Sequence, residues 1–331
     1  MNVVFDVDEY YCQECDKMMN CSHIDLMGWA EELQTLKTQI MLNGYFIIHH
    51  KLPNSTPAKA FQCSKIFFSQ NQETKEQTYS LDRARRGYSS VQTDNFASLS
   101  GFKKPNDIVE KFRIGPIETD FIDEYYTSKE GRVHFFPNTW PNHIEGFQVA
   151  LEAYYEAMRK LSCYLLALVE RLFDLPVDSL VREMHRHTSI LGLNAYLPLS
   201  TYPPTVYKEH IKGVNKDEMR DDNGLGGTNN IAIERVAEHV DVSVFTIVAE
   251  SSMERGDDNT GVEGSSGEGE AVNTTSPSSH QIKLQMFNCQ LEAWEDVHLG
   301  PDCFLINVGE CLSDWSRSTS RIQCSPSSPT P

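Results

Sequence analysis

A histidine and an aspartate two positions apart, His239 and Asp241, have the types and spacing of metal ligands. They begin a segment rich in β-branched residues, which predicts a strand over 239–249. Residues i and i+2 of a strand lie on one face, about 7 Å apart along the chain. An imidazole and a carboxylate placed in this way can bind one divalent metal ion. A hydrogen-bonded His–Asp pair at a strand end is the alternative, and spacing alone is compatible with either.

The elements that would position this pair are short strands and one long helix. Apolar residues recur at steps of three and four from Phe147 to Leu172, and Pro176 then prevents the helix from continuing. The alternate face of the predicted strand, from Val240 to Val248, is apolar and is expected to pack on this helix. Strands are predicted over 189–198, 239–249, 281–287 and 303–308.

The N-terminal half predicts α/β structure. Helical spacing within 24–43 is followed by Gly44 and a short buried strand, and a second helix is expected over 57–69. Residues 71–145 are polar and rich in turns. Insertions over 208–231 and 251–280 are polar, and the acidic second one is predicted to be a mobile loop, with recruitment of a basic partner as the alternative.

Composition limits the classes of function. The chain has 331 residues with a formal net charge of −18, which argues against an extended nucleic-acid-binding surface. No segment approaches the roughly 20 apolar residues of a membrane span, and the acidic N-terminus does not resemble a signal peptide. We therefore expect a cytoplasmic protein with reduced cysteines. Cys12, Cys15, Cys21 and His23 have the loose spacing of a zinc knuckle, which is a weak signal without a repeat.

Several further segments occur in a specific order along nearly the whole chain. They are 44–48, 86–89, 106–113, 136–141, 187–191, the Asn194-x-Tyr196-x-Pro198 segment, 235–241 and 304–310. Together with the His-x-Asp pair, they make the sequence resemble the isopenicillin-N-synthase-like group of Fe(II)/2-oxoglutarate-dependent dioxygenases.

This resemblance implies a mixed α/β fold with a mainly β core, a double-stranded β-helix (jelly roll). An N-terminal α/β region would occupy 1–145, the long helix and oxygenase core 146–322, and a tail 323–331. Fe(II) would be bound by His239, Asp241 and a second histidine, and Asn194 and Tyr196 would contact the cosubstrate 2-oxoglutarate. The alternative for Tyr196 is a buried strand residue whose hydroxyl is hydrogen-bonded locally. The implied reaction uses O2 to oxidise a C–H bond of a small organic substrate by hydroxylation, desaturation or cyclisation, without a nucleic-acid or membrane partner.

The sequence departs from the family pattern after residue 310. The resemblance implies a Ser/Thr-x-His-Arg-Val motif, but residues 318–322 place Ser320 where the histidine should stand. The Arg-x-Ser pair that binds the distal carboxylate of 2-oxoglutarate in the family is absent, and His298 is a weak substitute for the missing ligand. We therefore expect a chain truncated before the last barrel strands, or a genuine chain that binds without turnover. The change to a Ser/Pro-rich tail within the motif favours truncation.

Three hypotheses follow from these observations. The leading one is a 2-oxoglutarate/Fe(II)-dependent oxidoreductase, inactive in this form if the missing ligands are needed. The second is a catalytically inactive binding protein that keeps the barrel pocket and uses the acidic insertion for contacts. The third is an Fe(II) oxidase that does not use 2-oxoglutarate, as in one branch of the family. Arg86 and Tyr88 are expected either to line the substrate entrance or to form only a turn. Arg186 and His187 also match the family, and they are expected to bind the metal, to lie behind its ligands or to lie on the surface.

Overall fold

The computed structural model of the protein describes residues 4–6, 30–50, 52–53, 55–79, 85–117, 119, 122–211, 233–251, 283–288, 290–300 and 302–317. Several sequence-based expectations lie outside these residues. They are the zinc knuckle at 12–23, most of both insertions, and the segment from 318 onward that contains Ser320.

The long helix is the main support of the fold. Helix α6 spans Phe147–Leu172, as its apolar periodicity predicts, and it follows Gly146, whose φ of 72° is in the left-handed region. At its C-terminal end, the buried carboxylate of Glu170 accepts hydrogen bonds from the backbone N–H groups of Asp178, Leu180 and Val181. These bonds fix the chain that leaves the helix, where the N–H groups would otherwise lack acceptors.

The other helices are α1 (Ala30–Asn43), α2 (Ser55–Phe68), α3 (Gln72–Glu76), α4 (Glu124–Thr127), α5 (Gly131–His134), α7 (Lys208–Ile211) and α8 (Glu310–Arg317).

Nine described strands form two sheets and a hairpin. The larger sheet has the order β1-β2-β9-β6, with β1 parallel to β2 and the other pairs antiparallel. The smaller sheet is antiparallel with the order β3-β4-β5, and β7 pairs with β8. The strands are β1 (Val4–Asp6), β2 (Tyr45–His49), β3 (Gly87–Ser89), β4 (Glu110–Ile114), β5 (Leu191–Ala195), β6 (Phe245–Val248), β7 (Leu284–Asn288), β8 (Ala293–Val297) and β9 (Cys303–Val308).

Helix α6 contributes to two hydrophobic clusters and so supports both sheets. Its C-terminal half packs with α1 and the larger sheet around Ile40, Leu165 and Phe304. Its N-terminal part packs with α2 and the smaller sheet around Phe67 and Phe112. The two sheets are therefore held on one scaffold.

Strand β6 differs from the strand predicted over 239–249. It is limited to Phe245–Val248, so His239 and Asp241 precede it in non-strand backbone. The face of β6 that packs towards α6 is also not the predicted one. Phe245 and Ile247 contact the α6 cluster, while Val248, a residue of the predicted face, packs on the opposite side. Within β6 the predicted phase is therefore reversed, although Val244, which belongs to the predicted face and precedes the strand, also packs on the α6 cluster.

The remaining elements agree with the sequence to different degrees. The structure confirms β9, and α1 and α2 agree within the described residues. The predicted strands 189–198 and 281–287 are shorter or shifted, as β5 and β7. Strands β1, β3, β4 and β8 were not predicted. None of the helices in the described ranges has the length and apolar character needed to cross a bilayer.

Candidate metal centre

His239 and Asp241 lie side by side at the edge of the larger sheet. His239 Nε2 is 3.5 Å from Asp241 Oδ1, and the two side chains are 25% and 22% exposed. The convergence expected from their spacing is therefore present, although a loop, not a strand, produces it. Partial exposure leaves the facing atoms within reach of a ligand.

The imidazole of His239 is oriented by its other nitrogen. Nδ1 lies 2.8 Å from the carbonyl oxygen of Ala237. Because a carbonyl can only accept, Nδ1 carries the hydrogen and Nε2 presents its lone pair towards Asp241 in the neutral ring. A backbone carbonyl that fixes the tautomer in this way is the usual arrangement behind a metal-binding histidine.

The buried carboxylate of Asp107 holds the segment that carries His239. It accepts hydrogen bonds from the backbone N–H of Ala237 at 3.3 Å and of Phe96 at 3.1 Å. The Ile108 N–H donates to the Arg235 carbonyl at 2.7 Å, which ties the same two segments together again. The Phe96 ring packs against the imidazole at a tilt of 37°, with centroids 4.5 Å apart. His239 is thus fixed from the side of the smaller sheet.

Asp241 is fixed from the larger sheet instead. The side-chain amide of Asn307, on β9, donates a hydrogen bond of 2.7 Å to Asp241 Oδ2. Oδ2 is thereby engaged, while Oδ1 faces the imidazole. The Asn307 amide therefore sets which oxygen is available to a ligand.

The N-terminus of α8 anchors the backbone around Asp241. Gly309 approaches this backbone so closely that an added Cβ would lie 2.0 Å from the Ser243 carbonyl oxygen. Only glycine permits this contact. The backbone bonds run from Gly309 N–H to Val244 O (3.0 Å), from Glu310 N–H to Asp241 O (2.8 Å) and from Cys311 N–H to Ser243 O (3.2 Å).

The two groups shift each other's protonation. Burial alone would raise the pKa of Asp241, but hydrogen bonds with His239, Thr246 and Asn307 outweigh it and lower the pKa. Burial alone would lower the pKa of His239, but Asp241 and the Ala237 carbonyl outweigh it and raise the pKa. The pair thus favours an ionised carboxylate next to a protonated imidazole, and a metal ion that binds here would displace the proton on Nε2.

The donor set of this pair fits a divalent transition metal. Imidazole nitrogen and carboxylate oxygen both suit Fe(II). Two donor atoms that each lie about 2.1 Å from one ion are at most about 4.2 Å apart, so the observed separation is compatible with a shared ion. In the described ranges, no group of three or more His, Cys, Asp or Glu side chains is placed to hold a metal, so His298 does not join the pair.

Comparisons with known proteins agree with this chemistry. A family model described as "non-haem dioxygenase in morphine synthesis N-terminal" matches residues 21–143. A 2-oxoglutarate-Fe(II) type oxidoreductase of Metarhizium majus is 23% identical over 277 residues, covering 82% of this chain and 65% of the relative. A 2-oxoglutarate-dependent dioxygenase of Aspergillus rugulosus is 25% identical, covering 49% of this chain and 52% of the relative. The chain is thus similar to 2-oxoglutarate/Fe(II)-dependent dioxygenases over most of its length.

Solved structures show the fold of this chain. A 2OG-Fe(II) oxygenase family protein of Caulobacter crescentus matches with a TM-score of 0.61 at 15% identity, covering 98% of this chain and 81% of that one. A full-length protein of Neurospora crassa, solved in complex with alpha-KG, matches with a TM-score of 0.59 at 15% identity, covering 97% and 77%. The core is therefore a double-stranded β-helix within a mixed α/β fold. The chain spans less than two thirds of the length of the curated relatives it matches.

Of the two residues predicted to contact the cosubstrate, Asn194 lies on the face of the smaller sheet that reaches the pair through Lys111 and Phe96. Asn194 is directly opposite Lys111 in the β4–β5 register, so the two side chains share a face. Phe96 connects this face to the pair, since it contacts both the Lys111 ammonium and the His239 ring. Tyr196 is partly buried just beyond β5, near enough to Asp107 for that carboxylate to contribute, after burial, to raising the pKa of the phenol.

Four other residues of the resembling segments lie away from the pair. Tyr88 is buried in the hydrophobic core with its hydroxyl bonded to Gln72, so it does not line an entrance. Arg86 is also buried and donates to the His134 carbonyl. Arg186 forms an exposed ion pair with Asp123, and His187 packs near Tyr155.

Sequence reasoning missed three residues that shape the candidate centre, namely Phe96, Asp107 and Asn307. One signal was available, because Asn307 is a polar residue inside the apolar strand β9 and buried polar groups require a partner. Asp107 lies within 106–113, one of the segments that carry the resemblance, but no role was predicted for it. Phe96 carries no signal in the sequence.

Proposed function

We propose that the chain is a dioxygenase that binds Fe(II) and 2-oxoglutarate and oxidises a C–H bond of a small organic substrate by hydroxylation, desaturation or cyclisation. The observation that carries this proposal is the His239–Asp241 pair, with Nδ1 fixed on a carbonyl and Nε2 facing Oδ1 at 3.5 Å. The similarity to 2-oxoglutarate/Fe(II)-dependent oxidoreductases supports the choice of metal and cosubstrate.

His239 Nε2 and Asp241 Oδ1 would hold the metal. Bound Fe(II), together with 2-oxoglutarate and O2, would supply the oxidising chemistry, because such cofactors carry the reaction while the protein binds and orients. Asn307 keeps the second carboxylate oxygen occupied, and Asp107 and Phe96 keep the imidazole in place. Asn194 and Tyr196 are proposed to bind 2-oxoglutarate through amide and phenol hydrogen bonds.

Metal and cosubstrate binding to the full chain tests this proposal without requiring turnover. Mn(II), a redox-stable substitute, is titrated against a chromophoric chelator, and Fe(II) with 2-oxoglutarate is titrated anaerobically. We expect Mn(II) binding and a weak visible charge-transfer band from the Fe(II) chelate of 2-oxoglutarate. Asp241→Ala is expected to abolish both signals, because it removes the charged ligand.

Asp296→Ala provides the matched control. Asp296 is a carboxylate of the β7–β8 hairpin, paired with Lys283 at 2.5 Å, so its removal changes the net charge equally without touching the pair. Its metal binding should equal that of the wild type. If the wild-type chain binds neither Mn(II) nor Fe(II) with 2-oxoglutarate, or if Asp241→Ala binds them equally well, the proposal is wrong.

A binding protein without turnover is the second candidate. It is favoured by one observation, namely that the described residues bring together two ligands and not three. Such a protein would keep the fold and the pocket but would not release succinate from 2-oxoglutarate. Succinate formation that depends on Asp241 would exclude it, whereas ligand binding unaffected by Asp241→Ala would support it.

A further inference from the structure

Lys111 of strand β4 is a buried cation that is paired with buried carboxylates. Its side chain lies on the face of the strand opposite to Phe112 and is only 6% exposed. The ammonium is 3.1 Å from the Asp94 carboxylate, and the carboxylate of Asp107, which is 1% exposed, also acts on it. A lysine is costly to bury unless its ammonium is paired in this way. These contacts hold the ammonium in a fixed place on one face of the smaller sheet.

The ring of Phe96 contacts both this ammonium and the candidate metal centre. Lys111 Nζ is 3.9 Å from the ring centroid, well within the roughly 6 Å over which an aromatic face attracts a cation. The same ring packs against the His239 imidazole, with centroids 4.5 Å apart. The ring therefore connects a fixed, buried cation with a candidate metal ligand.

The backbone around this contact is fixed separately, by Asp107. Its carboxylate accepts hydrogen bonds from the N–H groups of Phe96 at 3.1 Å and of Ala237 at 3.3 Å. These bonds leave the phenyl ring free to turn about its side-chain torsions. The Lys111 ammonium acts on the ring itself, because the attraction is to the ring face. It therefore favours the rotamer that packs against His239.

The imidazole of His239 needs a support of this kind. Nδ1 bonds to the Ala237 carbonyl at 2.8 Å and Nε2 faces Asp241 Oδ1 at 3.5 Å, but both contacts are made from the edge of the ring. Two edge contacts leave rotation about the line that joins them, and the Phe96 ring limits this rotation. Ligand side chains must be held to within about 10–20° of the productive orientation.

We propose that Lys111 is a positioning residue for the candidate metal centre and that it acts on His239 through the Phe96 ring. The inference rests on the proposed function for the presence of a metal, but the packing of the three side chains does not require one. Groups behind a metal ligand commonly orient it. Without the ammonium, the ring would leave the imidazole, and Nε2 would lose its fixed direction towards Asp241.

Mn(II) titration of Lys111→Met in the full chain measures the effect on metal binding. Methionine keeps a long apolar side chain but removes the charge. We expect Mn(II) binding to weaken roughly 3- to 30-fold, the range that the strength of a cation–π contact implies. Lys111→Arg should bind Mn(II) with close to the wild-type affinity, because a guanidinium also pairs with carboxylates and stacks on aromatic rings.

Lys75→Met is the matched control. Lys75 is also buried, pairs with Glu110 at 2.5 Å and lies 5.3 Å from the centroid of the Tyr88 ring. Glu110, however, lies on the opposite face of β4 from Lys111. Both methionine variants lose a buried ion pair and should be less stable, so their affinities are compared on the folded proteins. Lys75→Met should bind Mn(II) as the wild type does.

A double-mutant cycle tests whether Lys111 acts through the ring. Phe96→Leu removes the aromatic face, leaves the pairing of Lys111 with Asp94 in place, and should also weaken Mn(II) binding. Adding Lys111→Met to Phe96→Leu should then cause little further loss, because the two residues act as one unit. Losses that multiply in the double variant would overturn the proposal. Unchanged affinity in Phe96→Leu would also overturn it, and this variant remains informative if Lys111→Met does not fold.

Nuclear Overhauser contacts between the Phe96 ring and the His239 imidazole test the packing in EDTA, without a metal. The wild type, Lys111→Arg and Lys75→Met should show these contacts, and Lys111→Met should lose them. Contacts that persist unchanged in Lys111→Met would overturn the proposal, as would wild-type Mn(II) affinity in that variant. A wild type that shows the contacts but binds no Mn(II) would instead refute the proposed function, so the two failures are distinguishable.

Discussion

The hydrogen bond between Asn307 and Asp241 allows a quantitative test of the candidate metal centre. Asn307→Ala removes the amide that lies 2.7 Å from Oδ2 and leaves both candidate ligands in place. A hydrogen bond to a charged group contributes about 1.5–3 kcal/mol. At about 1.4 kcal/mol for each tenfold change in affinity, metal binding should weaken roughly 10- to 100-fold. Loss of such outer partners typically costs a factor of the same size.

Mn(II) titration of the wild type and of Asn307→Ala measures this loss of affinity directly. Thermal unfolding with and without Mn(II) measures it independently, because a ligand that binds only the folded state raises the stability of that state. Asn288→Ala is the matched control. Asn288 also donates a 2.8 Å hydrogen bond to a carboxylate, Glu295, but that carboxylate belongs to the β7–β8 hairpin. An unchanged affinity in Asn307→Ala, or an equal loss in Asn288→Ala, would refute the reasoning.

Three further predictions concern the support of the centre and the fold. Gly309→Ala should destabilise the protein by about 1–3 kcal/mol and weaken Mn(II) binding, because the added Cβ would overlap the Ser243 carbonyl. Gly192→Ala is the control, since a Cβ at Gly192 meets nothing closer than 3.9 Å. In the same Mn(II) titration and thermal melt, the control should change neither stability nor Mn(II) binding. Burial alone would raise the pKa of Asp94, but Arg113 and Lys111 outweigh burial and lower the pKa below its value in the unfolded chain. The Asp94 carboxylate therefore stabilises the fold above about pH 4, and this stabilisation is lost as the pH falls further. Asp94→Asn should therefore lower the free energy of unfolding by about 3–5 kcal/mol in denaturant titrations at pH 7, and by less below pH 4. A difference from the wild type that stays constant with pH would contradict the lowered pKa of Asp94. Glu170→Ala should lower the free energy of unfolding by about 1–3 kcal/mol or more, because the backbone N–H groups of Asp178, Leu180 and Val181 lose their acceptor. The Mn(II) affinity of the folded variant should equal that of the wild type.

The sequence predicted those elements whose burial follows one period. Helix α6 has the predicted bounds because its apolar residues recur at steps of three and four from end to end, and strand β9 has them because it is an apolar run broken only by Asn307. Strand β4 was missed because Glu110, Lys111 and Arg113 hide its pattern. Its charges are compensated by residues distant in the sequence, as in the buried 2.5 Å pair between Glu110 and Lys75. Such partners are visible only once the chain has folded.

The candidate centre shows the same limit. The types of His239 and Asp241 were sufficient to predict that they converge. The sequence did not predict that strand β6 begins only at Phe245, because the preceding backbone bonds to the N-terminus of α8 and to Asp107 instead of to a neighbouring strand. β-branched residues favour a strand locally, but these long-range bonds decide the conformation.

The two candidate ligands are positioned by different parts of the molecule, and this has a consequence for stability. His239 depends on Asp107 and Phe96 at the smaller sheet, whereas Asp241 depends on Asn307 of the larger sheet and on α8. The 3.5 Å separation of Nε2 and Oδ1 therefore depends on how the two sheets are held relative to each other, and α6 packs against both. A metal ion bound by this pair would join the two sheets and so stabilise the whole fold, not only its own loop. Metal binding should accordingly slow hydrogen exchange in both β4 and β9, and protection confined to residues 237–244 would show that the sheets are not coupled through the centre.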